Sequence, residues 1–345
     1  MRPWPRRLGG AERALLGRHV SRPVPLIPSG ADGKPLFELP AELAMDTDTA
    51  RGVIGEFIRG QLRGAGFERA VLGLSGGIDS GLVAYLVAEA IGADRLLCVL
   101  MPSRTSSPAS LADAEDVVRR LGCASEIVEV GPMVDAFYEA QTDASALRRG
   151  NFAARMRMAV LYDRSVTWGG LVVGTGNKTE GLIGYTTLFG DSASAFNPIG
   201  DLYKSQVRQL AAAIGVPEQI IVKAPSADLW PGQTDEGEAG FSYPQLDRLL
   251  FWRIDNGRSV EELVAMGFDP EFVERVDRMV AGSEFKRKLA PTAKIGYLTF
   301  GPNDGPNDGL DDGPNDGPND GPNDGPNDGP NDGLDRQRLP GSSPS

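Results

Sequence analysis

Residues 75–80 read Ser-Gly-Gly-Ile-Asp-Ser, between an apolar stretch at 69–74 and a second apolar stretch that continues to residue 91. The first stretch has the composition of a buried strand and the second that of a helix. Glycines let the main chain approach an anion closely, and successive N–H groups at a helix start bind phosphate. The hydroxyl groups of Ser75 and Ser80 add donors. The segment therefore predicts a phosphate-binding loop.

Asp79 is an unusual neighbour for a phosphate, because the two negative charges repel each other unless a cation lies between them. Mg²⁺ commonly joins one or two carboxylates to phosphate oxygens, so we expect Mg²⁺ and a pyrophosphate-binding loop. The loop lacks the GxxxxGK[ST] pattern, and residues 174–179, Gly-Thr-Gly-Asn-Lys-Thr, lack the third glycine of a dinucleotide fingerprint. An ordinary tight turn with a helix cap is the alternative interpretation.

The composition restricts the chemistry further. The chain has one histidine, His19, and two cysteines, Cys98 and Cys123. This argues against serine–histidine hydrolysis, cysteine–histidine catalysis and histidine-ligated zinc. Two cysteines do not make a disulfide scaffold, so we expect a cytoplasmic, reducing setting. No stretch reaches the roughly 18 apolar residues that a membrane span needs, so we expect no membrane partner.

Both ends of the chain differ from its middle. Residues 301–335 contain ten aspartates, seven copies of Gly-Pro-Asn-Asp and no Lys or Arg; without them the formal charge of −12 becomes −2. A nearly neutral body does not fit a nucleic-acid-binding protein. We expect a flexible extension at 1–45, one domain at 46–296 and a disordered tail at 297–345, with a Ca²⁺-binding repeat array as the tail's alternative.

Between these ends, apolar strands alternate with helices. The pattern predicts strands at 69–74, 95–101, 125–130 and 170–174, and helices from residue 46 or 48 onward and at 80–91, 108–121, 148–168, 203–214, 243–255, 259–266 and 270–282. Strands that are apolar on both faces belong to a parallel sheet covered on both sides. The predicted fold class is therefore α/β, a doubly wound parallel sheet with a helical C-terminal portion.

Five segments carry a family resemblance. Ser-Gly-Gly-Ile-Asp-Ser resembles the loop of the N-type ATP pyrophosphatases, which have the adenine nucleotide alpha-hydrolase-like fold. NFAARMRMAVLYD at 151–163, the segment from GTGNKTEGL to KSQVRQLA at 174–211, KAPSADLWPGQTDEGE at 223–238 and SEFKRKLAP at 283–291 resemble NAD synthetases. The resemblance implies that ATP adenylates the nicotinate carboxylate of deamido-NAD, and that ammonia then displaces AMP.

The resemblance also implies roles for individual residues. Asp79 and Glu180 would bind Mg²⁺, and Asp191 and Lys204 would be catalytic. The residues implied to bind ATP are Gly73, Leu74, Ser75, Gly76, Gly77, Ile78, Asp79, Ser80, Thr175, Lys204 and Ser226. Those implied to bind deamido-NAD are Arg155, Phe285 and Lys286, with Arg157 a weaker candidate.

Three positions depart from the family pattern. Leu188 replaces a lysine, Ala195 replaces an aspartate, and Phe285 replaces a histidine that often precedes Lys-Arg. All three concern the pyridine side of the substrate and none concerns ATP. We therefore expect pyridine contacts that differ from those of other members.

Few residues precede the synthetase-like part, whereas glutamine-using members carry an amidase domain there, so we expect free ammonia or a separate amidase subunit as the nitrogen source. The resemblance implies a homodimer. A GMP synthetase-like or tRNA-modifying enzyme of the same superfamily, and a non-catalytic nucleotide-binding module, are the alternative interpretations. Residues 225–238 are rich in Gly, Pro and acids, and we expect a lid that orders over the substrates.

Overall fold

Four parallel strands form one sheet in the part of the chain that the computed structural model describes, residues 27–29, 35–141, 143–224, 240–288 and 290–291. The strands are β1 (Arg69–Gly73), β2 (Leu96–Leu100), β3 (Ala124–Ile127) and β4 (Gly170–Val173), in the order β3-β2-β1-β4. Leu72 of β1 lies opposite Cys98 of β2 and Val173 of β4. This sheet confirms the predicted fold class.

The central strands are buried on both faces, as their composition predicts. Leu72 and Cys98 point into one apolar core, whereas Val71 and Val99 point into a second core on the opposite face. The edge strand β3 alternates half-buried and exposed residues, and it is shorter than predicted. An edge strand has a ladder partner on one side only, so its pairing is less constrained at the ends.

Helices cover both faces of the sheet. The helices of the described residues are α1 (Thr47–Gly64), α2 (Ile78–Ile91), α3 (Pro108–Leu121), α4 (Gly131–Tyr138), α5 (Ala146–Trp168), α6 (Lys178–Ile183), α7 (Lys204–Ala213), α8 (Glu218–Val222), α9 (Tyr243–Leu250), α10 (Val260–Ala265) and α11 (Pro270–Gly282). A π-helical turn, Phe251–Asp255, continues α9, and short 3₁₀ turns occupy Ala41–Leu43, Ala93–Arg95 and Glu284–Arg287.

The long helices begin where the sequence predicts capping. The carboxylate of Asp46 accepts hydrogen bonds from the main-chain N–H groups of Asp48 and Thr49, each at 3.1 Å, so Asp46 caps α1. Sequence analysis did not predict α4, α6 or α8, which have eight, six and five residues. Helices this short show too few turns for a clear apolar period.

The C-terminal helices form a third core of their own. Leu246, Leu249, Leu263 and Val276 are fully buried there, and they pack with Tyr203, which directly precedes α7. This core connects the helical C-terminal portion to the sheet domain. No helix among the described residues is long and apolar enough to cross a membrane.

The end of the predicted N-terminal extension is packed. Leu43 is 1% exposed and belongs to the C-terminal core, and the main-chain N–H of Met45 donates to Gln209 Oε1 at 3.1 Å. We therefore group residues 35–45 with the domain. Residues 1–26 and the tail from residue 292 lie outside the described residues. Of the two units into which the chain divides, Met1–Leu289 and Ala290–Ser345, only residues 290–291 of the second are described.

Candidate active site

The predicted phosphate loop lies between the carboxyl end of β1 and the start of α2. The hydroxyl oxygens of Ser75 and Ser80 are 3.0 Å apart, and the Ser80 hydroxyl donates to the carbonyl of Gly77 at 3.1 Å. The main-chain N–H of Gly77 donates to the Ser75 hydroxyl at 3.2 Å. The two serines therefore bond within the loop and hold its shape. Phosphate binding falls mainly to the N–H groups at the helix start.

Gly76 is required by its surroundings. Its φ angle is +77°, in the left-handed region, and a Cβ atom there would lie 1.9 Å from the carbonyl oxygen of Ser110. A side chain would therefore be strained and would also collide with the main chain at the start of α3. Glycine is the residue that lets these two main-chain segments touch.

Lys223, which sequence analysis did not single out, contacts the same loop. Its ammonium donates to Ser110 Oγ and Asp113 Oδ2, each at 2.9 Å, and to the carbonyl of Gly76 at 3.4 Å. The residue directly follows α8, so it connects that helix to α3 and to the loop. It brings a positive charge to the edge of the predicted phosphate site.

Lys204 lies between two carboxylates on the other side of the loop. Its ammonium donates to Asp79 Oδ2 at 2.5 Å and to Glu180 Oε1 at 3.0 Å, and the lysine is 2% exposed. Asn177 donates to the second oxygen of Asp79 at 2.9 Å. The structure thus brings together Asp79, Glu180 and Lys204, three residues predicted from separate segments of the sequence.

The electrostatics keep Lys204 charged. Burial by itself lowers the pKa of this ammonium, but the charges of Asp79 and Glu180 outweigh burial and raise the pKa above the ordinary lysine value. Asp79 and Glu180 both contact the Lys204 ammonium, so the two carboxylates lie close together. Two carboxylates suit Mg²⁺, which takes one or two of them and completes its shell with phosphate oxygens and water. The residues therefore fit the predicted metal.

Thr175 lies at the same edge of the sheet, two residues beyond the end of β4. Gly176, next to it, accepts a hydrogen bond from the Asn197 amide at 2.7 Å. β4 is the neighbour of β1, so Thr175 and the phosphate loop follow adjacent strand ends. This placement agrees with the predicted ATP side of the site, where ligands of doubly wound sheets bind.

The residues predicted to bind deamido-NAD meet at the loop after α6. Arg155 donates to the carbonyl of Leu188 at 3.3 and 3.2 Å through Nε and Nη2. Lys286 donates to the carbonyls of Gly184 and Thr186, each at 3.0 Å. Phe285, beside Lys286, is 58% exposed. Since α6 carries Glu180 near its start and ends before Gly184, one short helix links the two predicted sides.

Asp191 is engaged within its own loop. Its two carboxylate oxygens accept hydrogen bonds from the main-chain N–H of Thr187 at 2.7 Å and from the hydroxyl of Thr186 at 2.8 Å. Asp191 therefore shapes the loop that Lys286 and Arg155 contact. Arg157 donates from Nε to the carbonyl of Met101 at 3.1 Å, after β2. Ser226 and the predicted lid at 225–238 lie outside the described residues.

A buried carboxylate that sequence analysis did not predict contacts the residue next to Lys204. Asp247, on α9, accepts hydrogen bonds from Thr179 Oγ1 at 2.6 Å and from Ser205 Oγ at 2.6 Å. The helix has buried leucines at 246, 249 and 250 and the exposed Arg248, so its sequence is that of an ordinary amphipathic helix. The signal that would have found it is a charged residue at a core position, because buried charges need partners.

Comparisons with known proteins identify the family of this chain. The sequence model of the NAD synthase family matches residues 52–290. A curated relative from Trichlorobacter lovleyi, named NH(3)-dependent NAD(+) synthetase, is 50% identical over 255 residues, which are 74% of this chain and 93% of the relative.

Two solved structures match the fold. The NH3-dependent NAD synthetase from Campylobacter jejuni, in complex with nitrate, is 34% identical with a TM-score of 0.63. The NMN synthetase from Francisella tularensis is 31% identical with a TM-score of 0.65. Each match covers 73% of this chain and 100% of the solved chain. With the family model and the curated relative in agreement, the chain belongs to the NAD synthase family.

Proposed function

We propose that this chain converts deamido-NAD into NAD with ATP and ammonia, and releases AMP and pyrophosphate. The name of the curated relative supports the reaction, since this chain matches nearly all of that relative's length. The observation that carries the proposal is the placement of a loop of N–H groups beside Lys204, Asp79 and Glu180. The comparisons do not favour GMP synthetase-like, tRNA-modifying or non-catalytic alternatives.

In the first step, an oxygen of the nicotinate carboxylate attacks the α-phosphorus of ATP. The bond from that phosphorus to its bridging oxygen breaks, and pyrophosphate leaves. The N–H groups at the start of α2 and the ammonium of Lys204 stabilise the charge that grows on the leaving group. Thr175 and Ser226 are proposed to contact ATP. The carboxylate thereby gains AMP as a leaving group in place of oxide.

Asp79 and Glu180 would hold Mg²⁺, which neutralises phosphate charge and orients the triphosphate. Lys204, which contacts both carboxylates, supplies a second positive charge at the phosphates. Its buried position excludes water from that side of the site. Low exposure strengthens each charge interaction, because the local dielectric constant is below that of water.

In the second step, ammonia attacks the carbonyl carbon of the adenylate. AMP leaves with the former carboxylate oxygen, and the nitrogen gives up one proton to complete the amide. We assign Arg155, Phe285 and Lys286 to deamido-NAD, and Asp191 to the ammonia or its proton. Replacement of Asp191 by Ala with the ammonia-dependent step intact would contradict the last assignment.

We propose further that residues 46–296, together with the packed segment 35–45, form the catalytic domain, and that two copies associate in the cytoplasm. Apolar side chains exposed on α4 and α5 supply a surface for association: Met133, Phe137, Leu147, Tyr162 and Val166. Sedimentation of the purified chain measures its mass directly. A monomer at every concentration tested would contradict the dimer.

Product analysis tests the reaction. The purified chain is mixed with ATP, Mg²⁺ and ammonium, and with deamido-NAD, nicotinate mononucleotide or xanthosine monophosphate as the acceptor. We expect AMP and an amide in equal amounts with deamido-NAD. Glutamine in place of ammonium tests the nitrogen source and should give no product. Turnover with xanthosine monophosphate alone would contradict the proposal, and preference for the mononucleotide would correct the substrate.

A further inference from the structure

Asp247 is a charged residue that the reaction above does not use. Its relative exposure is 0%, and it accepts three hydrogen bonds, from Thr179 Oγ1 at 2.6 Å, from the main-chain N–H of Ser205 at 2.7 Å and from Ser205 Oγ at 2.6 Å. A buried carboxylate is costly unless such bonds compensate it, so its presence calls for an explanation.

The donors of Asp247 adjoin the two side chains that meet at the phosphate side. Thr179 directly precedes Glu180 on α6, and Ser205 directly follows Lys204 on α7. The hydroxyl of Thr179 also accepts the main-chain N–H of Lys204 at 3.0 Å. One carboxylate thus joins the starts of α6 and α7.

The hydrogen bonds fit a carboxylate at residue 247. Thr179 Oγ1 accepts from the main-chain N–H of Lys204 and donates its own proton to Asp247 Oδ1, and the main-chain N–H and the hydroxyl of Ser205 both donate to Oδ2. Both oxygens of Asp247 therefore accept. Asparagine has the same shape but one accepting oxygen, so its NH₂ group would either face the Thr179 proton or make that hydroxyl turn and accept, and in both cases the bond that Thr179 donates is lost.

The same helix also reaches the ammonium. The ring of Tyr243, one turn before Asp247 on α9, has its centre 5.2 Å from Lys204 Nζ. This distance permits a cation–π contact. α9 therefore contacts the Lys204 ammonium through Tyr243, and it reaches the Lys204 main chain indirectly through Thr179, which bonds both to Asp247 and to the Lys204 N–H.

We propose that Asp247 is the positioning residue of the phosphate side: it holds α6 and α7 together so that Glu180 and Lys204 meet Asp79 and face ATP. This role rests on the proposed function, because it acts on ATP through Lys204. A shift of either helix start would move the Lys204 ammonium away from its 2.5 and 3.0 Å contacts. Small displacements of such groups reduce rates strongly.

Steady-state kinetics of the full chain test the role with Asp247→Asn and a matched pair at residue 179. Thr179→Val keeps the shape and removes the hydroxyl, whereas Thr179→Ser keeps the hydroxyl. We expect Asp247→Asn and Thr179→Val to raise the KM for ATP and to lower kcat/KM for ATP about 10- to 100-fold, in the range of other positioning contacts. Thr179→Ser should stay near wild type, and the KM for ammonium should not change.

Asp116→Asn is the control, since Asp116 is also a buried acid, bonded to Arg120 and Gln219 rather than to the site. It should lower the melting temperature and leave the KM for ATP unchanged. Calorimetric titration with a non-hydrolysable ATP analogue gives a second readout without turnover. Weaker analogue binding by Asp247→Asn and Thr179→Val, but not by Thr179→Ser, supports the role.

The outcomes separate the two proposals. A wild-type chain that makes no NAD from deamido-NAD contradicts the proposed function. The positioning role alone is contradicted if the wild-type chain makes NAD and the variants Asp247→Asn and Thr179→Val only lower the melting temperature. In that outcome the KM for ATP and the binding of the analogue stay unchanged. If Asp247→Asn does not fold, the pair at residue 179 decides the question by the same criteria.

Discussion

At the scale of single residues, the site depends on one ammonium that joins carboxylates from two helices. Lys204 bonds to Asp79 of α2 and to Glu180 of α6, and both carboxylate side chains are less than one-fifth exposed. In a partly buried cluster, removal of one partner leaves the remaining charges poorly compensated. Substitution of any of these three residues should therefore reduce activity or stability more than the same substitution of a charged surface residue.

Asp79→Ala should reduce turnover by about 10²- to 10³-fold, because it removes a group that orders charge around the phosphates. The fold should survive, since Asp79 lies at a helix start and not in the apolar core. Turnover and circular dichroism measure the two effects. Asp94→Ala, beyond the opposite end of α2, is the control and should behave as wild type. Near-normal turnover of Asp79→Ala would refute the assignment of Asp79 to the Mg²⁺ site.

The two cysteines give a residue-scale test of the core. Cys98 and Cys123 are buried with their sulfur atoms 3.6 Å apart, and the contact with Cys123 and burial raise the pKa of the Cys98 thiol well above its ordinary value. Thiolate is the reactive form, so Cys98 should resist Ellman's reagent in the native chain. The contact with Cys98 lowers the pKa of the Cys123 thiol, so Cys123 should resist the reagent through burial alone. Unfolding in guanidinium should release both thiols. Rapid reaction of either one in the native chain would contradict this packing.

At the scale of elements, the segment before α1 proves to be part of the domain. Its 3₁₀ turn, Ala41–Leu43, inserts Leu43 into the C-terminal core, and Glu42 accepts hydrogen bonds from Arg248 at 2.6 Å and from Trp252 at 3.2 Å. Sequence analysis placed it in a flexible extension because the first 45 residues alternate arginines with Pro and Gly, and a three-residue turn adds no helical period. The partners that fix it lie about two hundred residues away in the chain.

Leu43→Ala should destabilise the fold by about 2–5 kcal/mol, the range for truncation of a fully buried leucine. Urea unfolding measures the change. Val53→Ala is the matched control, because Val53 lies on α1 and is 65% exposed. It should change stability by less than about 0.5 kcal/mol. Equal effects of the two substitutions would mean that Leu43 does not pack in the core.

The carboxyl group of Glu42 should make the contribution of this segment to the stability of the fold depend on pH. Burial by itself raises the pKa of its carboxyl, but the hydrogen bonds from Arg248 and Trp252 outweigh burial and lower the pKa below its ordinary value. A lowered native pKa stabilises the fold above the unfolded value, about 4.3, and the contribution disappears as the pH falls through the native value.

Glu42→Gln should therefore melt at a lower temperature than wild type at pH 7, and the difference should vanish under acid conditions below the native pKa. Differential scanning calorimetry at both pH values measures it. Glu68→Gln is the control, because Glu68 is 81% exposed and lies 3.8 Å from Arg95. A difference that persists in acid would exclude the carboxylate as its source.

At the scale of the whole molecule, the sheet was predictable because strands buried on two faces leave continuous apolar runs. The family motifs single out Asp79, Glu180 and Lys204, and the structure brings these three residues into contact; their roles stay a prediction. Lys223 and Asp247 escaped prediction, because their contacts are made across the fold rather than along the chain. No local pattern marks a lysine after a five-residue helix. For Asp247 the one local signal is an acid at a core position of an amphipathic helix, and that signal does not name its partners.

The central claim is that the loop and Lys204 promote attack of a carboxylate on the α-phosphorus of ATP. Deamido-NAD labelled with oxygen-18 in its carboxylate tests this most directly, with mass spectrometry of the phosphorus products. The account predicts that each AMP carries one labelled oxygen, that the amide keeps the other, and that pyrophosphate carries none. Label in pyrophosphate or orthophosphate, or AMP without label, would contradict adenylation at this site.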